Sequence, residues 1–412
     1  MRSMKIYSFL VLFIGIWWLL AFKKTTFTEP STPYPTKINC PTLDAAITLI
    51  NRDLLYQALT GDTELMARLI SDWDIDAQIL NSNGFEGIKR IPHSDFLRSQ
   101  SLLRALQNDD YVKNVLHSLK NKNQWVLDDA GNAINLQSNY QKYLPQTYLA
   151  ASLLLSLVAP SQIAGLPRHM REQTDLYPLA LTRQIPLDVD RYNAEKLYLE
   201  NPDVAFVAHF SHPATIQALI NQGVLLYTMK NIHTIPDICQ ELIHLGHIVN
   251  KPLQAELMTI FINAAVCALD NQQTVLIRHF QQAEELLPKV LVVNFHQTFS
   301  VPTKKTLTGQ LLSRMSVLDI SIKYTEESGQ SNSWAASIDK EKLVRLNPDV
   351  LIITTTNPKA ASAGIHNDPV LSDLSAVRHN RLVFLDESVQ HSISQYVVLA
   401  YHDLIQALIP QP

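Results

Sequence analysis

The sequence predicts an α/β fold built from two similar lobes, and three observations carry that expectation. The first is a repeat. Glu195–Val204 reads EKLYLENPDV and Glu341–Val350 reads EKLVRLNPDV, identical at seven of ten positions. Each copy reads as a short helix that stops before its proline, because the residue preceding Pro is pushed out of the α region. The second is the unbroken apolar run after each copy, Val204–Ala208 and Val350–Ile353. A strand without polar alternation belongs in a parallel sheet covered on both faces. The third is Leu253–Leu287, helical in pattern and interrupted only near Asp270-Asn271, which separates the two units.

Residues 1–24 are apolar with basic flanks. Ile6–Phe22 carries no charge between Arg2/Lys5 and Lys23/Lys24, about the minimum length for a bilayer span. Small residues of an A-x-A cleavage pattern are missing near Phe22, and Lys37-Ile38-Asn39 before Cys40 lacks the small residues of a lipoprotein site. An uncleaved transmembrane anchor is therefore expected, with the rest of the chain exported. Basic residues on both sides leave the orientation open by charge alone. Residues 25–37 (TTFTEPSTPYPTK) form a Pro/Thr-rich, semi-extended tether.

Residues 38–137 predict a mostly helical accessory module. Asp44–Leu59, Thr63–Asp72 and Asp95–Leu106 carry helix-spaced apolar residues behind capping starts. Trp125–Leu136 predicts a hairpin around Asp128-Asp129-Ala130-Gly131. The first lobe spans 138–252: an apolar helix at Pro145–Leu157, a turn at Gly165–His169, the first NPDV unit, the loop His209–Pro213, a helix Ala214–Asn221 and a strand Val224–Tyr227. Gly223 supplies the helix stop. The inter-lobe helix takes 253–288. The second lobe spans 289–412, from the strand Lys289–Asn294 through the second NPDV unit and the strand Arg381–Leu385 to an amphipathic helix at Tyr396–Leu408.

Composition excludes several classes. A net charge of −4 gives no reason to expect nucleic acid as a partner. The 11 glycines form neither GxGxxG nor GxxxxGK[ST], which argues against nucleotide-phosphate loops. Cys40, Cys239 and Cys267 have no metal-ligand or disulfide spacing, so buried free thiols are expected for Cys239 and Cys267. No nucleophile motif or placed carboxylate pair marks an enzyme, so no catalytic residue and no cofactor are assigned.

From about Tyr140 onward the chain resembles the class III periplasmic substrate-binding proteins of ABC importers, which serve ferric siderophores, haem and cobalamin. The resemblance rests on Glu195–Val207 and Glu341–Ile353, one helix–NPD–strand phrase per lobe, on PQTYLAASLLLSL and ALINQGVLLYTM, and on Asp368-Pro369-Val370 to Val383. The sequence departs from it at Asn380, where glycine is usual before Arg381, and in the extra front module. The resemblance implies two Rossmann-like lobes joined by a long helix, with the ligand cleft between them and lined by the loops after the strands.

On that geometry the candidate ligand-binding residues are Arg168, His169, Arg171, His209, His212, His296, Lys304, Lys305, Trp334 and His391. Cations and ring faces suit an anionic, partly apolar iron chelate. His209 and His212 form an HxxH that is either a ligand pair or incidental; His244 and His247 form another within a helical pattern, read as a half-exposed helix face. No metal site is assigned. The resemblance also implies that Glu195 and Glu341 sit one on each lobe and pair with arginines of the permease; their plain role is a favourable charge in a helix first turn.

The expected function is therefore capture of a ferric siderophore or haem by a monomeric solute-binding protein anchored on the periplasmic side of a bacterial inner membrane, with delivery to an ABC permease. Cobalamin or a transition-metal ion is the alternative within the class. A two-lobed enzyme such as a chelatase, or a sensor or scaffold, is the alternative outside it.

Overall fold

A computed structural model describes residues 50–122, 124–172, 176–189, 199–282, 287–296, 298–315 and 319–409. The apolar segment 1–24, the tether 25–37 and Glu195 lie outside the described residues.

Two sheets appear, one per repeat. In the first lobe β3 (Tyr143–Pro145), β6 (Val204–Val207) and β7 (Leu225–Thr228) are parallel neighbours in the order β3-β6-β7. The short strands β4 (Gly165–Leu166) and β5 (Leu187–Asp188) pair with each other, and a parallel bridge from Ile163 to Tyr143 joins them to β3. The resulting order is β5-β4-β3-β6-β7. In the second lobe β8 (Val290–Phe295), β9 (Phe299–Pro302), β10 (Ala335–Ile338), β11 (Val350–Thr355) and β12 (Leu382–Asp386) run in the order β10-β9-β8-β11-β12. Numbered within each lobe, both sheets read 3-2-1-4-5, and the NPDV strand is fourth in each. That order reverses beside the first strand, where open α/β sheets place their ligands.

One departure from an all-parallel sheet occurs. Strand β9 is antiparallel to β8 and β10. Three residues separate β8 from β9, enough for a hairpin but far too few for a parallel crossover.

The NPD motif does the same work twice. Asn201 and Asn347 adopt φ of 42° and 41°, the left-handed cap conformation that Asn tolerates better than most residues. Asn380 does likewise at 55°, standing in for the glycine usual there.

The helix Pro252–Gln282 joins the lobes. It is long and apolar enough to cross a membrane by length and composition, yet Leu257, Phe261, Ala265 and Leu269 are fully buried in the core. It runs unbroken through Asp270-Asn271, where the sequence predicted an interruption. Those polar residues hold neighbours instead. Asn271 exchanges two 2.8 Å hydrogen bonds with the backbone of Lys89, while Asp270 accepts from Tyr401 at 2.7 Å and pairs with Arg314 at 3.2 Å.

The front segment contributes helices Arg52–Leu59, Thr63–Ser82, His93–Leu106 and Asp109–Lys122, then the antiparallel hairpin β1 (Trp125–Leu127) and β2 (Ala133–Asn135). It shares one hydrophobic core with the first lobe and the inter-lobe helix. Trp73 stacks on Phe261 at 5.5 Å, and Arg98 forks onto Glu256 at 2.6 and 2.7 Å.

The final helix, Val397–Gln406, differs from the amphipathic expectation: all ten residues are buried. Its polar side faces the front segment rather than water. Arg52 grips Asp403 with two hydrogen bonds of 2.8 and 3.1 Å, and His402 reaches the carbonyl of Ile50 at 2.9 Å.

Candidate functional site: a cleft between the lobes

A cavity of about 690 Å³ opens between the lobes, within the size range of small-molecule sites. Its first-lobe wall comes from Tyr148, Leu149 and Ser152 on the helix after β3, and from His169, Glu172 and Tyr177 after β4. Its second-lobe wall comes from Thr356 after β11 and from Asp386–Ser388 and His391–Ser394 after β12. Loops at strand carboxyl ends therefore line it on both sides.

The floor ties all three parts of the chain together. Gln395 donates to the carbonyls of Ser152 at 2.9 Å and Leu59 at 3.5 Å. The hydroxyls of Ser152 and Tyr177 are 2.6 Å apart. Tyr396 stacks on Tyr56 of the front segment at 5.9 Å and meets Tyr177 edge-on at 5.8 Å.

The titratable side chains on the walls include His169 and His391 and the carboxylates of Glu172, Asp386 and Glu387, among several hydroxyls. His169 stacks near Tyr148 at 6.5 Å, and its Nδ1 lies 3.3 Å from Glu172. Across the cleft, Glu387 Oε1 is 3.4 Å from His391 Nδ1 and 3.3 Å from His296 Nε2. The second oxygen of Glu387 is buried without a hydrogen-bond partner among the described residues. His391 also meets Asn294 Oδ1 at 3.2 Å. Burial pulls the His391 imidazole below its ordinary pKa, against the opposing pull of Glu387.

Of the predicted ligand residues, His169 and His391 line this cavity, and His296, outside its lining, meets Glu387. Among the described residues that line the cavity none is Arg or Lys. Arg171 turns into its own lobe and donates to the carbonyls of Thr182, Ile185 and Leu187 at 2.6–2.9 Å. Arg168 pairs with Glu172 at 3.0 Å, and Lys304 pairs with Glu326. Lys305 is exposed outside the cavity.

His209 and His212 do not act as a pair. His209 binds Asp129 of the front hairpin at 2.6 Å, and the ring of His212 caps the helix Pro213–Asn221 by accepting from the amide of Ala214. Trp334 stacks on His233 at 5.8 Å, a contact between the loop after β7 and the loop before β10. Among the described residues no group of three or more His, Cys, Asp or Glu side chains is placed to hold a metal ion.

Sequence reasoning missed Tyr148, Glu172 and Glu387 as individual residues. Tyr148 was hidden in an apolar helix; its place just after the first strand of the lobe was the available signal.

Two α/β lobes of matching strand order, one connecting helix and a cleft at the strand ends define a bilobal solute-binding architecture. The chain belongs to the periplasmic binding protein family, whose model matches residues 149–389. No curated protein matches the chain. Solved structures with the same fold include a possible iron-binding (periplasmic solute-binding) protein from Staphylococcus epidermidis, 16% identical with a TM-score of 0.54 over 66% of this chain and 100% of that one. The periplasmic heme-binding protein RhuT from Roseiflexus, in apo form, is 17% identical with a TM-score of 0.52 over 66% and 98%. A periplasmic heme-binding protein from Pseudomonas aeruginosa is 20% identical with a TM-score of 0.50 over 66% and 93%.

Proposed function

We propose that the protein captures an iron chelate in the cleft and delivers it to an ABC permease, and that haem suits the cleft better than an anionic siderophore. One observation carries the preference: Tyr148 and His169 stand on one wall and His391 on the other, where guanidinium and ammonium groups would be needed for a polyanion. His and Tyr are among the side chains that hold haem iron, and Glu172, Asp386 and Glu387 would repel a chelate surrounded by anionic oxygens more than haem, whose negative charge is confined to two propionates. Two heme-binding proteins among the structures of this fold are consistent with that preference. The serines along 388–394 offer hydroxyls to polar substituents.

Delivery rests on Glu341, exposed in the first turn of the helix Lys340–Leu346 and away from the cavity, with Glu195 as its counterpart in the repeat. The apolar segment 6–22 would hold the protein at the outer face of the inner membrane. Native mass spectrometry of residues 38–412, purified from the natural host, tests the ligand: a retained haem supports the reading, and a retained small molecule without iron refutes it.

A further inference from the structure

Strand carboxyl ends are where an α/β lobe meets its ligand, and the first lobe has five of them along one edge: β3, β4, β5, β6 and β7. Among the described residues of this lobe, the segments after β3 and β4 line the cavity. The ends of β6 and β7 are taken by a piece of the chain itself. Asp128, in the turn of the front hairpin, accepts the amide of Thr228, the last residue of β7, at 2.9 Å. The amide of Asp129 donates to the carbonyl of Thr228 at 3.1 Å. The carboxylate of Asp129 then meets His209, two residues past β6, at 2.6 Å.

The turn is built to stay there. Asp128 is buried and also accepts from the amides of Ala130 and Asn132 and from the Asn132 side chain, at 2.6–3.0 Å. Val126 and Ile134, on the inner face of the hairpin, are buried in the main core. The hairpin lies outside the residues matched by the family model.

We propose that the hairpin of residues 124–136 is a specificity element: it fills the β6–β7 half of the ligand-binding edge and so limits the cleft to ligands that fit between the β3–β4 and β11–β12 loops. Asp128 and Asp129 are the positioning residues, and His209 is the latch that receives them. This inference rests on the cleft being the ligand site, as proposed above.

The test uses residues 38–412 with haemin and the bulkier cyanocobalamin as probes, comparing wild type with Asp129→Ala and with Asp128→Ala/Asp129→Ala. Releasing the turn should raise cyanocobalamin affinity relative to haemin by tenfold or more, with Asp129→Ala intermediate. Amide hydrogen exchange supplies a ligand-free readout: Thr228 should be protected in wild type, lose protection in the double variant and be partly protected in Asp129→Ala, even if the double variant proves too unstable for titration. Haemin binding with an unchanged affinity ratio would overturn the proposal while leaving the iron-chelate reading intact. An unprotected Thr228 amide in wild type would overturn it without any ligand. Failure of every form to bind either probe would overturn both readings.

Discussion

Asp203 accepts the backbone amide of Lys142 at 2.9 Å, tying the start of the NPDV strand to the start of the first strand of its lobe. The same carboxylate oxygen takes the amide of Gln141 at 2.7 Å. In the second lobe Asp349 accepts the amide of Lys289 at 2.9 Å. Backbone bonds return the contact, from Asp203 to Lys142 at 2.8 Å and from Asp349 to Lys289 at 2.9 Å. The repeated aspartate is thus a register pin between strands one and four, the pair that flanks the ligand edge.

Asp203→Ala strands two amides and should cost about 1.5–3 kcal/mol, the range for hydrogen bonds to a charged group. Asp349→Ala strands one and should cost less. Urea denaturation midpoints measure both. Two neutral substitutions would show that the pin is dispensable.

The front segment should unfold together with the lobes. Arg52 and Asp403 are 351 residues apart and linked by two hydrogen bonds, and His402 lies against the same carboxylate at 3.1 Å. Arg52→Met leaves the buried Asp403 carboxylate without its fork, a change expected to cost about 3 kcal/mol. The thermal transition should stay single, at lower temperature. A separate early transition for residues 50–122 would mark them as an independent module.

Stability should also carry a signature of Glu241. Burial raises its carboxyl to about 7, although the Tyr227 hydroxyl, 3.3 Å away, partly offsets this. Tyr227 also meets His244 at 2.9 Å, and Asp129 and Lys230 are the nearby charges. An acid whose folded pKa is raised gives stability that is complete below its unfolded pKa and is lost as pH climbs through the folded value. The window therefore runs from about 4.5 to 7. A shift of this size corresponds to about 3 kcal/mol at most. Glu241→Gln should flatten the fall in melting temperature between pH 5 and 7.5 relative to wild type. Parallel profiles for the two proteins would exclude the assignment.

The sequence made the two lobes legible because the repeat is local: helix stop, left-handed asparagine, proline and apolar strand lie within about fifteen residues. The order of strands within each sheet, and the antiparallel β9, were not read from the sequence and appear only in the fold. Long-range polar partners were not legible. Arg171 looks like a ligand residue in sequence, and only the fold brings the carbonyls of Thr182, Ile185 and Leu187 to it. The polar residues His402 and Asp403 imply a wet helix face until Arg52 arrives from the other end of the chain. Asp270-Asn271 resembles a helix break for the same reason. Around the cleft, loop positions were readable and placed His169 and His391 along the cavity, whereas charge alone pointed to Arg168 and Lys304, whose carboxylate partners Glu172 and Glu326 could not be foreseen.

Haemin titration of residues 38–412, followed by Soret absorbance, tests the central claim most directly. Wild type should bind one haemin per chain at micromolar affinity or tighter, about 8 kcal/mol or more. His169→Ala and His391→Ala should each weaken binding at least tenfold and shift the Soret band, while Lys304→Ala and Arg171→Lys should leave the band in place. Wild-type binding that survives both histidine substitutions with an unchanged spectrum would contradict the assignment of this cleft as the ligand site.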